Sequence, residues 1–313
     1  MPESERVVLL FAHGGSFNKN TWAPIIRRVA ASPLLKRVPC EIVAFDWRYH
    51  GALSSDAEPA ELYYEDGDKT APRVEHPGKH WTEWAPLDLW KLVQQLRSDD
   101  DKLQRRTHIV GVGHSMGATS LLRVEVTYPG TFAGLVLFEP PFRHEPLPEA
   151  AKWAASLMVT KTLAREEEWS SWEDVEKHFN THRAFRRWDK EARSAFLEGA
   201  IKKTADGRKY RLAMTLLQEC SLYCHLIMHF SMDEFARVKS PTVFEFGQET
   251  MLFNLPLAEE VVRQLPRTYR LAPAIENATH LMIVEQLDAC AQHIVTALET
   301  FPVFQQVSIS SKL

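Results

Sequence analysis

The chain has 313 residues, 45% of them hydrophobic and 25% charged, with a formal net charge of −4. A chain of that size and balance can bury a core without a disulfide or metal staple, and the lack of any like-charge block argues against a surface for nucleic acid or anionic membrane. No apolar run approaches the roughly 18 residues of a membrane span, and Cys40, Cys220, Cys224 and Cys290 are scattered, as expected in a reducing compartment.

The amino-terminal "MPESERVVLLFAHGG" sets acid beside base and runs its apolar stretch into His-Gly-Gly, so it does not read as a signal peptide. "RVVLLFA" (6–12) reads as a strand, 22–32 as a helix and "EIVAFDW" (41–47) as a second strand. Residues 51–80, rich in Ser, Glu, Asp, Pro and Gly, read as a long polar loop. A helix over 84–98, a strand over 108–113, a helix over 118–128 and a strand over 133–139 follow. The alternation then stops. Between about 144 and 238 the pattern is helical, with no strand evident; Trp172, Val175 and Phe179 mark one amphipathic face, and 189–203 and 212–230 look helical too. Strands over 241–247 and 267–273 and a last helix over about 286–300 complete the chain. The pattern predicts an α/β fold, a mostly parallel sheet flanked by helices. Its core spans 1–143 and 239–306, a helical cap is inserted at 144–238, and 307–313 form a flexible tail.

"GHSMG" (113–117) follows the third of these strands and can be read two ways. As G-x-S-x-G it is a nucleophile elbow, with glycines flanking Ser115 on a sharp strand-to-helix turn. As part of "GVGHSMG" it approaches a dinucleotide fingerprint, with Glu139 ending the next strand as the ribose acid. Met116 stands where that fingerprint needs its third glycine, and a complete βα unit precedes the motif. Two further stretches favour the elbow. "FAHGGSF" (11–17) ends the first strand in His-Gly-Gly, and "NATHLMIVEQLD" (277–288) sets His280 just ahead of the final helix. A dinucleotide fold needs neither.

With these motifs in this order the chain resembles the α/β-hydrolase superfamily over nearly its whole length, and "DWRYHG" (46–51) is similar to the family's loop after its fourth strand. Together with a terminal "SKL" the nearest resemblance is to fungal peroxisomal hydrolases, lipase-like proteins and those of toxin gene clusters among them. The resemblance implies Ser115 as nucleophile, His280 as general base and then acid, and an oxyanion hole from the backbone N–H groups of Gly15 and Met116. The family's usual acid, an Asp after the seventh strand, is missing from "FEFGQETMLFN" (244–254). Glu139, 24 residues past Ser115, matches the branch that carries the acid after the sixth strand, with Glu249 as the alternative. A serine nucleophile implies acyl transfer on an ester or thioester of an apolar acyl group. The rival reading is a hydrolase-like ligand-binding protein that has lost its acid. The family normally has two strands ahead of the His-Gly strand, yet only five residues precede Arg6. Residues 41–45 should therefore lie near a sheet edge, implying a shortened sheet, a homodimer paired there, or a missing start.

The final Ser311, Lys312 and Leu313 match the signal read by the peroxisomal import receptor, and the expected location is the peroxisomal matrix. No organic cofactor is expected. Cys220, Cys224, His225 and His229 could suggest zinc, but buried thiols are commonly small apolar groups, and no metal is expected. Trp153, Trp169, Trp172 and Trp188 either line an acyl pocket or pack the cap on itself. His13 should support the oxyanion loop, and His114 should touch the pocket; neither is expected to be catalytic.

Overall fold

The computed structural model describes residues 5–143, 149–224, 227–250 and 255–305. The chain opens with β1 (Glu5–Ala12), α1 (Ala23–Ala30), α2 (Pro33–Arg37) and β2 (Glu41–Phe45). A hairpin of β3 (Glu61–Tyr64) and β4 (Pro72–Glu75) leads to α3 (Trp81–Arg97), β5 (Arg106–His114), α4 (Met116–Thr127) and β6 (Gly134–Phe138). An insert then holds β7 (Phe142–Arg143), α5 (Glu149–Leu163), β8 (Glu168–Trp169), α6 (Trp172–Thr181), α7 (Lys190–Ala200), β9 (Ile201–Lys203), β10 (Tyr210–Leu212), α8 (Leu216–Tyr223) and β11 (Met228–His229). The chain closes with α9 (Met232–Arg237), β12 (Thr242–Glu245), α10 (Leu255–Gln264), β13 (Tyr269–Leu271), α11 (Met282–Glu285) and α12 (Leu287–Glu299).

The six-stranded sheet runs β13-β12-β6-β5-β1-β2, and every pairing in it is parallel. Because both faces are covered, its strands read as continuous apolar runs. In β1, Val7, Leu9 and Phe11 pack with Ile25, Val29, Ile294 and Leu298 on the α1–α12 side. Val8, Leu10 and Ala12 pack with Leu89, Leu121 and Val261 on the α3–α4–α10 side. As expected for 41–45, β2 is an edge strand, and its residues are half-buried or exposed.

Three stretches differ from the sequence expectation. The polar 51–80 segment contains the β3–β4 antiparallel hairpin. All four residues of β3 are exposed, so there was no buried face to write an alternating pattern. The insert contains β8, β9 and β10 in a small antiparallel sheet, with β11 paired to β7. Strands of two or three residues are too short to show a period of two. Consequently the helix expected over 189–203 stops at Ala200 and turns extended, and the one expected over 212–230 stops at Tyr223. On α6, Val175 and Phe179 are buried, whereas Trp172 is exposed. Among the described residues no helix is long and apolar enough to cross a membrane.

Candidate active site

The carboxyl ends of β1, β5 and β6 and the loop after β13 meet at one place, and strain collects there. Ser16, Ser115, Glu139 and Asn277 all have positive φ, in regions that non-glycine residues adopt only when their surroundings hold them. Ser115 sits at φ 51°, ψ −120° between β5 and α4. Its own N–H donates to Phe138 O at 2.9 Å, and its carbonyl accepts from Thr119 N at 3.0 Å. The flanking glycines make that turn possible by close approach. A Cβ on Gly117 would stand 2.2 Å from Ala12 O, and one on Gly113 would stand 2.7 Å from Ala118 N.

Glu139 directly follows β6, fully buried, with its N–H on Glu245 O at 2.9 Å. Its carboxylate accepts from Gly247 N–H at 3.0 Å through Oε1, and Oε2 lies 2.9 Å from His280 Nδ1. A carboxylate can only accept, so Nδ1 carries the proton and Nε2 is the acceptor nitrogen of that ring. Glu249 is differently engaged. It is about half exposed, and its two oxygens take Arg187 Nη1 at 2.6 Å and Nη2 at 3.1 Å. His114, next to Ser115, donates from Nε2 to His280 O at 2.8 Å, and the two rings lie 4.6 Å apart between centroids. Burial, reinforced by the neighbouring His280, holds the His114 pKa well below the usual histidine range, so this ring is neutral.

The loop after β1 is fixed on both sides of Gly15. His13 Nδ1–H donates to Gly14 O at 2.7 Å, while its Nε2 accepts from Trp47 N–H at 3.3 Å. Ser16 N–H donates to His50 Nε2 at 3.2 Å, and His50 Nδ1–H donates to Arg48 O at 2.7 Å. Both rings are buried, and burial keeps them neutral: His13 is held well below the ordinary range and His50 is pushed down to about 4. A Cβ on Gly14 would lie 3.2 Å from Ser115 Cβ, so this loop runs directly past the elbow. Met116 begins α4, where the first amides have no intrahelical acceptor and carry the positive end of the helix dipole. His50 was not singled out from sequence. Its one signal was its place in "DWRYHG", whose role appears only when that loop folds back under Gly15.

The insert packs over these loops. Phe17 lies 5.8 Å from the His114 ring, 5.7 Å from Trp188 and 6.0 Å from Phe196. Trp169 and Trp188 are buried in the insert's aromatic core, whereas Trp153 is 68% exposed. Tyr223 of α8 donates to Glu219 Oε1 at 3.1 Å and takes Ser16 Oγ at 3.1 Å. Cys220 packs beside Val159 with its thiol pushed up to about 12 by burial, and Cys224 Sγ accepts from Val74 N–H at 3.3 Å. Among the described residues no group of His, Cys, Asp and Glu could hold a metal ion; His225 lies outside them, as do Ser311, Lys312 and Leu313.

A family model described as the alpha/beta hydrolase family matches residues 9–293. No curated protein sequence matches the chain. Among solved structures, the peroxisomal alpha-beta-hydrolase Lpx1 of Saccharomyces cerevisiae is similar, with a TM-score of 0.71 and 17% identity over 96% of this chain and 78% of that one. E-2-(acetamidomethylene)succinate hydrolase aligns with a TM-score of 0.64 and 17% identity over 95% and 92% of the two chains. A thioesterase domain from the curacin biosynthetic pathway aligns with a TM-score of 0.56 and 17% identity over 94% and 92%. At such identities these likenesses speak to fold alone.

Proposed function

This chain belongs to the alpha/beta hydrolase family, and we propose that it is a serine hydrolase cleaving carboxylic ester or thioester bonds of apolar acyl substrates. The observation that carries the reading is the 2.9 Å bond from His280 Nδ1 to buried Glu139, beside a serine held on a strained turn. With Nδ1–H committed to Glu139, His280 Nε2 is the group that takes the Ser115 hydroxyl proton as Oγ attacks the carbonyl carbon. The negative charge that develops on the carbonyl oxygen falls to the N–H groups of Gly15 and Met116. Collapse expels the alcohol or thiol, which receives the proton from His280, and leaves an acyl group on Ser115. Water, deprotonated by the same nitrogen, then releases the acid and restores the serine.

The aromatic wall of Phe17, Trp188 and Phe196 against His114 supports an apolar acyl group. The terminal Ser311-Lys312-Leu313 supports work in the peroxisomal matrix after capture by the import receptor, where acyl esters and thioesters are at hand. The test uses purified protein, a fluorophosphonate probe, p-nitrophenyl esters and acyl-CoA thioesters. Wild type should label and turn over at least one of these ester classes, and Ser115→Ala should do neither while remaining folded. A folded wild type that neither labels nor hydrolyses would favour a ligand-binding protein.

A further inference from the structure

The loop that carries His280 is gripped from the insert by one side chain. Arg187, just ahead of α7, holds Glu249 with two bonds, donates from Nη2 to Asn277 O at 2.7 Å and sets Nε 3.4 Å from Glu285 Oε1. Glu285, itself buried, accepts from Thr279 N–H at 2.8 Å and from Thr279 Oγ1 at 2.9 Å. The guanidinium thus reaches three segments: the turn after β12, the residues leading into His280, and the helix just after it.

Neighbouring contacts make this a joint. Asp189 N–H, two residues beyond Arg187, donates to Val284 O at 2.7 Å. Glu249 N–H donates to Ala278 O at 2.9 Å, and Gln286 Nε2 donates to Asn277 O at 3.0 Å. Trp188 packs on Phe17, the residue that follows the Gly15 loop by two positions. A planar guanidinium with five fixed donors can span such a junction; an ammonium cannot reach all its acceptors at once.

We propose that Arg187 is a positioning residue that couples the seating of the insert to the placement of His280 over Ser115. This deepens the serine-hydrolase reading and rests on it for its kinetic arm. When the insert is seated, Arg187 neutralises Glu249 and Glu285 and pins Asn277 and, through Glu285, Thr279, so the His280 ring meets Glu139 in one orientation. When the insert lifts, that loop loses its outer restraint and the proton relay loosens. Opening for substrate and assembly of the relay are therefore one motion.

The experiment compares wild type, Arg187→Met and Arg187→Lys in the full chain. It records melting temperature, fluorophosphonate labelling rate, kcat and KM for p-nitrophenyl acetate, and the low-field NMR resonance of the His280 Nδ1 proton. Arg187→Met should slow labelling and lower kcat by about ten- to a hundred-fold, the scale of loss for misplacement on the order of 1 Å. KM for so small an ester should hold within about twofold, as expected when only orientation is lost. The low-field resonance should weaken or vanish, while Arg187→Lys shows the same changes to a smaller degree. If Arg187→Met does not fold, Arg187→Lys carries the test. Wild-type labelling, kcat and resonance in the folded variants would overturn the proposal. A wild type that shows the resonance but neither labels nor hydrolyses would sink the serine-hydrolase reading, and the resonance in the variants would still decide the role of Arg187.

Discussion

At the scale of single residues, the loop beside Ser115 depends on histidines that stay neutral. His50 accepts the Ser16 N–H, and burial has moved its pKa from 6.5 to about 4. The unfolded chain takes up a proton on this residue near pH 6.5, whereas the folded chain resists until about pH 4. The stability contributed by the neutral ring is therefore complete above 6.5 and is lost as the pH falls toward 4. Between pH 7 and pH 4.5 the site should cost wild type about 2 kcal/mol. His50→Gln keeps an acceptor and cannot titrate, so urea unfolding at the two pH values should show a smaller acid loss in the variant. Equal losses in both proteins would show that His50 is not held neutral. Glu139 illustrates what sequence could and could not carry. Its spacing from Ser115 singled it out, but only the fold shows its carboxylate on His280 and that of Glu249 on Arg187.

At the scale of elements, the main strands and helices were legible because both sheet faces are buried and the helices present long apolar stripes. The pieces that escaped are short or exposed: β3 has no buried residue, and β8 to β11 hold two or three residues each. Long-range stitches between elements were invisible for a different reason, since nothing local marks them. Glu125 of α4 is the clearest. Fully buried, it accepts Gly130 N–H at 2.7 Å and Lys239 N–H at 3.1 Å through Oε1, and Phe132 N–H at 3.1 Å through Oε2. One carboxylate thus ties the end of the elbow helix to the entrances of β6 and β12. Glu125→Ala strands buried donors at each entrance and should cost at least about 3 kcal/mol, read as a fall in the urea midpoint. A loss under 1 kcal/mol would mean that water replaces the carboxylate without difficulty.

At the scale of the whole molecule, the sheet supplies a rigid floor and the insert closes over the loops at its carboxyl edge. Contacts reach the site from two sides, Tyr223 to Ser16 and Arg187 to the His280 loop. The proposed terminal signal, Ser311-Lys312-Leu313, would act separately from this site. Removing Ser311–Leu313 should move a fluorescent amino-terminal fusion out of peroxisomes while purified protein keeps its labelling rate. Continued import without these residues would refute the assignment. We propose that Glu139, rather than Glu249, sustains His280 and thereby Ser115. The measurement that tests it most directly is the fluorophosphonate labelling rate of Glu139→Gln and Glu249→Gln against wild type. Glu139→Gln should lower the rate by about a thousandfold or more, in line with loss of a triad carboxylate, and Glu249→Gln by much less. The reverse order would contradict it.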